Sequence, residues 1–307
     1  MDRVLMTGAT GFIGGALLEK LLGKYELHMI TERRSTSKGD GVNAHTSNIT
    51  NFSRVSKLVK EIKPDYVIHM AAKIPISFSF EHPLEVNNIN YLGTANIANA
   101  CRELKGFEQF IFSGTSEEYG SVATSAKPIR EDSAMMPNNP YAVSKVAAEH
   151  YLMQMNRVYG FPCTILRGFS TYGRKKTNNF FIEKTITQMM KGGQVKLGNP
   201  DVVRDWIYVE DHVDGYVKAI GNRKAVGRAI NLCTGKGHTT RETAKTIAKI
   251  TGFDGMISWN SVEKRPFDAK FLVGDNSLAK GVLGWKPRYT LEKGIREMAD
   301  YWSKKMD

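Results

Sequence analysis

Residues 3–14 read Arg-Val-Leu-Met-Thr-Gly-Ala-Thr-Gly-Phe-Ile-Gly, an apolar run followed by glycines at positions 8, 11 and 14. The apolar run predicts a buried strand, and the amphipathic segment 14–22 predicts a helix directly after it. Glycines at such a turn let the main chain approach a pyrophosphate, whose charge is stabilised by the free amides and the positive end of the helix. A tight turn without a ligand is the alternative. The position of the turn after the first strand favours a dinucleotide site.

The alternation of apolar runs and amphipathic segments continues to about residue 167. It predicts further strands at 27–31, 66–69, 109–113 and 163–166, and helices at 52–62, 86–104 and 141–159. Strand–helix–strand units of this kind form parallel crossovers, so the predicted fold class is α/β, a doubly wound parallel sheet of the Rossmann type. The rhythm then breaks, with helices predicted at 181–191, 240–251 and 291–304. We therefore expect a dinucleotide-binding Rossmann domain at 1–167 and a smaller α/β substrate lobe at 168–307, some segments of which return to the first domain.

The composition of the chain limits which partners and which cellular location are expected. Its 307 residues contain no apolar run long enough to span a membrane, and the first residues lead straight into a strand pattern. We therefore expect a cytoplasmic protein without a membrane partner. The three cysteines are far apart and lack metal-ligand spacing, which predicts reduced thiols and no metal. The net charge of +12 raises the possibility of nucleic-acid binding. Because the basic residues are scattered, a phosphorylated small substrate is the preferred interpretation and no nucleic-acid partner is expected.

A second motif, Tyr141-Ala-Val-Ser-Lys145, places a phenol and an ammonium group one helical turn apart on the same face. A neighbouring cation favours the phenolate, so we expect Lys145 to lower the pKa of Tyr141 towards neutrality and make it a usable base. Taken alone, such a pair is more often an ordinary surface feature. Here it follows a predicted dinucleotide fold and a strand that ends in Ser113-Gly-Thr115, which favours a catalytic role.

The segment Thr115-Ser116-Glu117-Glu118 follows that strand. Strand ends of an open α/β sheet face the ligand crevice, so these polar groups are expected to point towards the chemistry. The Thr115 hydroxyl can bond a reacting oxygen beside the tyrosine. Ser116 and Glu117 add a donor and a carboxylate that simple hydride transfer does not need. The alternative is a capped loop with solvated glutamates, and this is the preferred interpretation for Glu118.

The Gly-x-x-Gly-x-x-Gly spacing resembles that of the extended short-chain dehydrogenase/reductases. His69-Met-Ala-Ala72, Asn90-Tyr-Leu-Gly-Thr94 and Ser47-Asn-Ile-Thr50 resemble further motifs of that family, although Asn48 stands where many members have an aspartate that bonds the adenine. The turn and the resemblance together imply a set of cofactor-binding residues: Gly8, Thr10, Gly11, Phe12, Ile13, Gly14, Arg33, Arg34, Ser35, Asn48, Ile49, Ala71, Ala72, Asn90, Tyr141 and Lys145.

Within that family the Thr-Ser-Glu segment resembles that of GDP-mannose 4,6-dehydratases. The elements around Arg204-Asp-Trp206 and Lys264-Arg265-Pro266 resemble the family's two clamps for a diphosphate, whose oxygens suit guanidinium forks. The resemblance implies a nucleoside-diphosphate sugar as partner and Ser170, Asn179, Arg204 and Arg265 as substrate-binding residues. Asp205, Trp206 and Asp211 are expected to hold the lobe together instead. Two positions depart from the family's pattern: Ser170 stands near a usual asparagine, and Arg174 follows Gly173 where a proline is common.

The residues after the second predicted strand carry conflicting signals for the cofactor. Glu32 lies where an acidic side chain takes both ribose hydroxyls in NAD-selective enzymes. Arg33, Arg34 and Ser35 follow at once, and a guanidinium beside a hydroxyl suits a 2′-phosphate. The resemblance to the Arg-Arg-Ser of GDP-mannose dehydratases favours NADP, with NAD as the alternative.

Several functions share this scaffold. A nucleotide-sugar 4,6-dehydratase with catalytic Tyr141, Lys145, Thr115, Ser116 and Glu117 is the favoured interpretation. A 4-epimerase would need only Tyr141 and a hydroxyl, a 4-keto-6-deoxy-sugar reductase would consume NADPH, and a related decarboxylase is a further alternative. A cofactor-sensing regulator without chemistry is disfavoured because both the tyrosine and the lysine are present. The family resemblance also implies a homodimer, paired through the helices predicted at 86–104 and 141–159.

Overall fold

The computed structural model describes residues 1–32, 41–122, 127–262 and 268–306. Its strands, in chain order, are β1 (Arg3–Thr7), β2 (Glu26–Thr31), β3 (Val42–Thr46), β4 (Tyr66–His69), β5 (Gln109–Thr115), β6 (Cys163–Gly168), β7 (Ser170–Tyr172), β8 (Val195–Lys196), β9 (Val203–Tyr208), β10 (Arg228–Leu232), β11 (Gly237–Thr239), β12 (Ile257–Ser258) and β13 (Phe271–Leu272).

The helices are α1 (Phe12–Leu21), α2 (Phe52–Ile62), α3 (Ile76–Glu81), α4 (Pro83–Asn87), α5 (Gly93–Arg102), α6 (Pro140–Tyr159), α7 (Phe181–Lys191), α8 (Val209–Ala219), α9 (Thr240–Thr251), α10 (Ser277–Leu283) and α11 (Leu291–Met306). A π-helical turn, Asn88–Leu92, joins α4 to α5, so the helix predicted at 86–104 is divided. None of the helices in these described ranges is long and apolar enough to cross a bilayer.

Within the described residues, seven parallel strands form the large sheet in the order β10-β6-β5-β4-β1-β2-β3. Successive side chains of β1 point to opposite sides of this sheet. Val4 and Met6 join the core beneath α1 and α8, whereas Leu5 joins the core beneath α2, α5 and α6. Helices therefore cover both faces, which confirms the predicted doubly wound α/β fold.

The lobe after residue 167 is built around β9, which pairs with β7, β11 and β13. Its helices α7, α9 and α11 pack on one another, and their apolar residues continue the core beneath α1 and α8. One segment of this half returns to the large sheet, because β10 pairs with β6 in parallel register from Arg228 opposite Thr164 to Leu232 opposite Gly168. The domain boundary at residue 167 stays a prediction.

Asp205 and Asp211 have the structural role that the sequence predicts. The buried Asp205 carboxylate accepts hydrogen bonds from the main-chain N–H groups of Thr234 and Gly235 and from the Thr234 hydroxyl, at 2.6–2.8 Å. Burial raises its pKa to about 6, against the effect of these bonds. Asp211 Oδ2 accepts the N–H groups of Arg288 and Tyr289 at 2.9 and 2.8 Å. Both carboxylates thus tie loops together.

Candidate active site

The parallel register brings the carboxyl ends of β1, β4, β5 and β6 to one edge of the sheet. Thr7 lies opposite His69, His69 lies opposite Phe112, and Thr115 lies opposite Gly168. The glycine turn after β1 and the polar segment after β5 are therefore close neighbours, as expected for the ligand crevice of such a fold.

The glycine turn after β1 has no room for side chains. Gly8 has a φ of 73°, and its carbonyl accepts the N–H of Gly11 at 3.0 Å. A Cβ on Gly14 would lie 2.2 Å from the Gly8 carbonyl oxygen. Helix α1 begins at Phe12, and its N-cap Gly11 supplies no side-chain acceptor for the first-turn amides. The turn therefore offers close main chain and free N–H groups, which fit a dinucleotide pyrophosphate.

The loop after β4 forms the wall beside this turn. A Cβ on Gly8 would lie 2.7 Å from the nitrogen of the predicted cofactor residue Ala71 and from the Met70 carbonyl carbon, so the backbone of this loop runs against the turn. Thr7 Oγ1 accepts the N–H groups of Met70 and Ala71 at 3.2 and 3.1 Å. The loop is thus fixed to the end of β1.

His69 is locked beneath this loop as a neutral ring. Burial, with Lys145 close by, lowers its pKa to about 3. Thr94 donates its hydroxyl to the Asn90 carbonyl, so His69 Nε2 must donate to Thr94 Oγ1 across 3.0 Å. Thr7, which already accepts two N–H bonds, donates to His69 Nδ1 at 2.7 Å. The assignment of this tautomer follows from the donors and acceptors around the ring.

Asn90 and Asn48 were both predicted to bind the cofactor, and their contacts differ. Buried Asn90 exchanges hydrogen bonds with the main chain of Lys73 and donates to Ser144 Oγ at 2.9 Å, so it ties the β4 loop to α6. Asn48 is exposed, but its carbonyl oxygen already accepts both the N–H and the hydroxyl of Thr50 at 2.9 Å. The acceptor expected to bond the adenine is therefore engaged, and the Asn48 amide N–H₂ is the group left for that contact. Ile49 is buried beside it.

Four further residues predicted to bind the cofactor or the substrate cannot be assigned a position. Arg33, Arg34 and Ser35, together with Arg265, lie outside the described residues. Glu32, the last described residue before this gap, is exposed.

Tyr141 and Lys145 lie on the first turns of α6, which the Asn139 side chain caps by accepting the Ala142 N–H at 2.8 Å. Both side chains are buried, and Lys145 Nζ lies 4.0 Å from the centroid of the Phe112 ring on β5. Burial lowers the pKa of Lys145 to about 8, although the charges of Glu118 and Glu149 oppose this shift.

The pKa of Tyr141 differs from the sequence expectation. Burial raises it above its usual value, and the negative charges of Glu118 and Glu117 raise it further. A hydrogen bond with the Thr115 side chain acts in the opposite direction. The expectation that Lys145 would bring this pKa towards neutrality was wrong, because burial of the phenol has the largest effect on it and the neighbouring carboxylates act in the same direction.

The two glutamates in the segment after β5 differ in their exposure to solvent. Ser116 is buried, and Glu117 is half-buried with its Oε2 accepting from Asn139 Nδ2 at 3.4 Å. Glu118 is fully buried and its Oε1 accepts the Thr115 N–H at 2.8 Å. The preference for a solvated Glu118 was therefore wrong, since Arg167 on the adjacent strand β6 approaches its Oε2 at 3.5 Å.

A cleft of about 850 Å³ opens between this segment and the lobe. Four predicted site residues line it: Glu117, Ser170, Asn179 and Arg204. Arg204 donates to Asp268 Oδ1 at 2.6 Å, so its guanidinium is held at the cleft wall by an ion pair. Trp206 also lines the cleft and stacks on Phe181 with ring centroids 5.6 Å apart. Its Nε1–H donates to Thr243 Oγ1 at 3.0 Å, so Trp206 has the predicted role of holding the lobe together.

Sequence reasoning left Arg174 without a role. Its guanidinium carbon lies 4.4 Å from the Phe12 ring of the glycine turn and 3.6 Å from the Phe180 ring of the cleft. It therefore connects the two binding regions directly. The signal in the sequence was its place after Gly173, where the resembled family often has a proline.

A dinucleotide-type turn, a buried tyrosine–lysine pair and a polar cleft in a second lobe together define an extended short-chain dehydrogenase/reductase. The chain belongs to the GDP-mannose 4,6-dehydratase family, whose model matches residues 5–298.

Relatives of this chain carry several activities. The GDP-mannose 4,6-dehydratase of Yersinia enterocolitica is 30% identical over 353 residues (97% of this chain, 93% of that protein). The GDP-6-deoxy-D-mannose reductase of Pseudomonas aeruginosa is 28% identical over 312 residues (99% and 98%). A trifunctional UDP-glucose 4,6-dehydratase/epimerase/reductase of Arabidopsis thaliana is 29% identical over 98% of this chain, which spans only 47% of that longer protein.

Solved structures agree on the fold. The UDP-glucose 4-epimerase of Thermotoga maritima, solved with UDP-glucose, has a TM-score of 0.91 at 26% identity and covers 99% of this chain and 100% of its own. The UDP-glucose 4-epimerase of Thermus thermophilus, solved with NAD, has a TM-score of 0.88 at 28% identity (98% and 99%). The Pseudomonas aeruginosa protein RMD, solved with NADPH, has a TM-score of 0.83 at 26% identity (99% and 100%).

The glycine turn can be tested with two adjacent residues. We expect Gly14→Ala to weaken dinucleotide binding by at least about tenfold, because the new Cβ must displace the Gly8 carbonyl. Gly15→Ala is the matched control, since its Cβ would meet nothing closer than 3.6 Å. Fluorescence titration with NADPH and NADH measures both variants, and circular dichroism checks that both are folded. Equal binding by the two variants would contradict the assignment.

Proposed function

We propose that the chain is an NAD(P)-dependent nucleotide-sugar 4,6-dehydratase, which converts an NDP-hexose to an NDP-4-keto-6-deoxyhexose through transient oxidation at C4. The observation that carries this proposal is the position of Glu117. Its half-buried carboxylate lines the cleft, and its charge acts on the Tyr141 phenol. Glu117 thus provides a carboxylate at the cleft whose charge reaches the Tyr141 phenol, and elimination requires such a group whereas simple hydride transfer does not.

The chain's own residues supply the proton transfers. Tyr141 takes the proton of the 4-hydroxyl, and Thr115, hydrogen-bonded to the phenol, orients the reacting oxygen. A bound nicotinamide supplies the position that takes the C4 hydride and later returns it to the sugar. The C4 carbonyl acidifies the C5 proton, which Glu117 removes. Glu117 passes this proton to the C6 hydroxyl, assisted by Ser116, and the hydroxyl leaves as water. As the hydride is delivered to C6, a proton equivalent to the one that Tyr141 took returns to C5, which restores the unprotonated tyrosine. Lys145 holds the nicotinamide ribose, the role that the family resemblance implies.

A 4-epimerase or a 4-keto-sugar reductase is the second candidate, because the relatives described above include a UDP-glucose 4-epimerase and a GDP-6-deoxy-D-mannose reductase. Either reaction needs Tyr141 and Thr115 but leaves the carboxylate of Glu117 without a proton to move. Incubation with a panel of GDP-, UDP- and dTDP-hexoses, followed by mass spectrometry, separates the three. Loss of water supports the dehydratase, unchanged mass with a new isomer supports the epimerase, and turnover that depends on added NADPH supports the reductase.

For the cofactor we propose NADP, with NAD as the alternative. The exposed position of Glu32 supports this choice, because an outward carboxylate does not repel a 2′-phosphate. We expect Arg33→Ala or Arg34→Ala to weaken NADP binding by roughly 1–3 kcal/mol, the scale of a lost charged hydrogen bond, and to leave NAD binding nearly unchanged. Titration calorimetry with both cofactors measures this. Tighter NAD binding by the unaltered protein would instead make Glu32 the selector.

We also propose a homodimer that pairs α6 and the α4–α5 segment of each subunit. Leu84, Leu92 and Val143 are exposed on these elements, and pairing would bury them in an intermolecular four-helix bundle. Sedimentation velocity at micromolar concentration is expected to show a species of twice the 34.3 kDa chain mass. Leu92→Glu should shift it towards the monomer. A single 34.3 kDa species for the unaltered protein would contradict the proposal.

A further inference from the structure

Behind the catalytic pair lies a buried ionic cluster, defined here as Glu118, Lys145, Glu149 and Arg167. Helix α6 places Tyr141, Lys145 and Glu149 at intervals of four residues, so all three lie on one face. Strand β6 adds Arg167, and the turn after β5 adds Glu118. All four cluster residues are at most 3% exposed, so water cannot compensate their charges.

The Arg167 guanidinium forms an ion pair with the Glu149 carboxylate. Its Nε donates to Glu149 Oε2 at 3.0 Å and its Nη2 donates to Glu149 Oε1, a bidentate pair. Its Nη1 donates to the Tyr119 hydroxyl at 2.7 Å and to the Glu131 carbonyl at 3.1 Å. Arg167 Nε also lies 3.5 Å from Glu118 Oε2, but its hydrogen is directed at Glu149, and Glu118 Oε2 accepts no hydrogen bond from the guanidinium.

Glu118 is the carboxyl group of the cluster that accepts no hydrogen bond from Arg167. Its Oε1 accepts the Thr115 N–H, but its Oε2 is buried without a donor among the described residues. Its Oε2 and the Oε2 of Glu149 lie 3.5 and 3.0 Å from the same Arg167 nitrogen, so the two carboxyl groups are close neighbours. Two ionised carboxylates cannot share a hydrogen bond, whereas one proton between them satisfies both groups.

We propose that Glu118 is a neutral carboxylic acid at physiological pH, which donates its Oε2 hydrogen to Glu149 while its Oε1 holds the Thr115 N–H. The other titratable groups that interact with it are Lys145 and Tyr141 on α6, Arg167 on β6 and Tyr119 on its own turn. Burial and the charge of Glu149 raise the pKa of Glu118 well above its usual value, and Arg167 and Lys145 only partly oppose this. No covalent step is involved.

A neutral Glu118 would serve the catalytic pair as a positioning residue. It anchors the main chain of Thr115, whose side chain hydrogen-bonds the Tyr141 phenol. An ionised Glu118 would oppose formation of the phenolate, since its charge raises the pKa of Tyr141. The neutral acid keeps the anchor and removes that opposition. This catalytic consequence rests on the proposed function, whereas the protonation of Glu118 does not.

Glu118→Gln tests the protonation state because glutamine copies the neutral acid. Its carbonyl can accept the Thr115 N–H, and its amide can donate to Glu149. If the folded protein keeps a proton that the unfolded chain has lost, native stability falls as pH rises above the unfolded pKa of about 4.5. The variant lacks that loss. Its thermal midpoint should therefore exceed that of the unaltered protein by more at pH about 8 than at pH about 5. An ionised Glu118 with a lowered pKa predicts the opposite sign and would overturn the proposal.

Infrared spectroscopy of the protein alone gives a second readout. The unaltered protein at pH about 8 should show the C=O stretch of a buried protonated carboxyl group, and Glu118→Gln should lack it. A band absent from the unaltered protein, or retained in the variant, would contradict the assignment. Glu149→Gln is the comparison: it breaks the bidentate pair with Arg167 and should lower the thermal midpoint at every pH.

Turnover separates the positioning role from a merely structural one. Glu118→Gln should keep kcat within about threefold and leave the pH profile in place, whereas Glu118→Leu, which cannot hold the Thr115 N–H, should lower kcat at least about tenfold with little change in KM. Equal loss in both variants would overturn the positioning role. The infrared and unfolding results require no substrate, so they stand or fall independently of the proposed reaction.

Discussion

Tyr141→Phe should lower turnover of the nucleotide-sugar substrate by about 10²–10⁴-fold while leaving dinucleotide binding within about twofold of the unaltered protein. The phenol is the group that takes the substrate proton, and the pyrophosphate contacts lie at the glycine turn on a different strand. Loss of the hydroxyl removes one hydrogen bond to Thr115 but no other contact of the buried ring with the core.

Tyr151→Phe provides the matched control for this prediction. Tyr151 lies on the same helix, and its hydroxyl accepts a hydrogen bond from Asn99 Nδ2 at 2.6 Å, away from the cleft. Steady-state rates and fluorescence titration are measured for both variants. Activity of Tyr141→Phe within about tenfold of the unaltered enzyme would remove Tyr141 from its role.

Glu117→Gln should lower release of the dehydrated product by about 100-fold or more, because the amide cannot remove the C5 proton. Oxidation at C4 needs only the tyrosine, so the variant should accumulate reduced cofactor and bound 4-keto sugar. Absorbance near the reduced nicotinamide band and mass spectrometry of the bound sugar detect both. Glu292→Gln, which alters an exposed ion pair with Arg296, is the control.

The same variant distinguishes the candidate functions. An epimerase or a reductase should lose much less activity, since neither reaction moves the C5 proton. Full dehydratase activity in Glu117→Gln would contradict the role of this carboxylate.

Much of the fold could be predicted because its signals are local. Strand 66–69 and the helices at 52–62, 181–191 and 240–251 have the predicted bounds. The helix at 240–251 carries a capping box, in which Thr239 and Glu242 bond each other's main chain. The glycine turn could likewise be predicted, because the exclusion of Cβ atoms is a property of the turn itself.

The sequence did not predict elements that are largely exposed to solvent or whose buried side chains are polar. Strand β3 is the outer strand of the large sheet, and most of its residues are exposed, so it lacks an apolar run. Helix α8 buries Asp211 and His212 beside Val213 and Tyr216, and its polar sequence hides the apolar stripe.

The candidate site shows the same limit. Residues 141 and 145 could be found by spacing, and continuation of that spacing to Glu149 was the one available signal for the buried cluster. Burial of Glu118 depends on Arg167, which is distant in the chain and adjacent only because β5 pairs with β6. Such a pairing gives a side chain surroundings that no local pattern reveals.

Dehydration through transient oxidation at C4 can be followed with isotopically labelled sugars. GDP-mannose and UDP-glucose, each carrying deuterium at C4, are incubated with the enzyme without added reduced cofactor, and the products are analysed by mass spectrometry and NMR. We expect one of the two sugars to lose water and to retain the deuterium, which moves from C4 to C6. A dehydrated product without deuterium at C6, or only an isomer of unchanged mass, would contradict it.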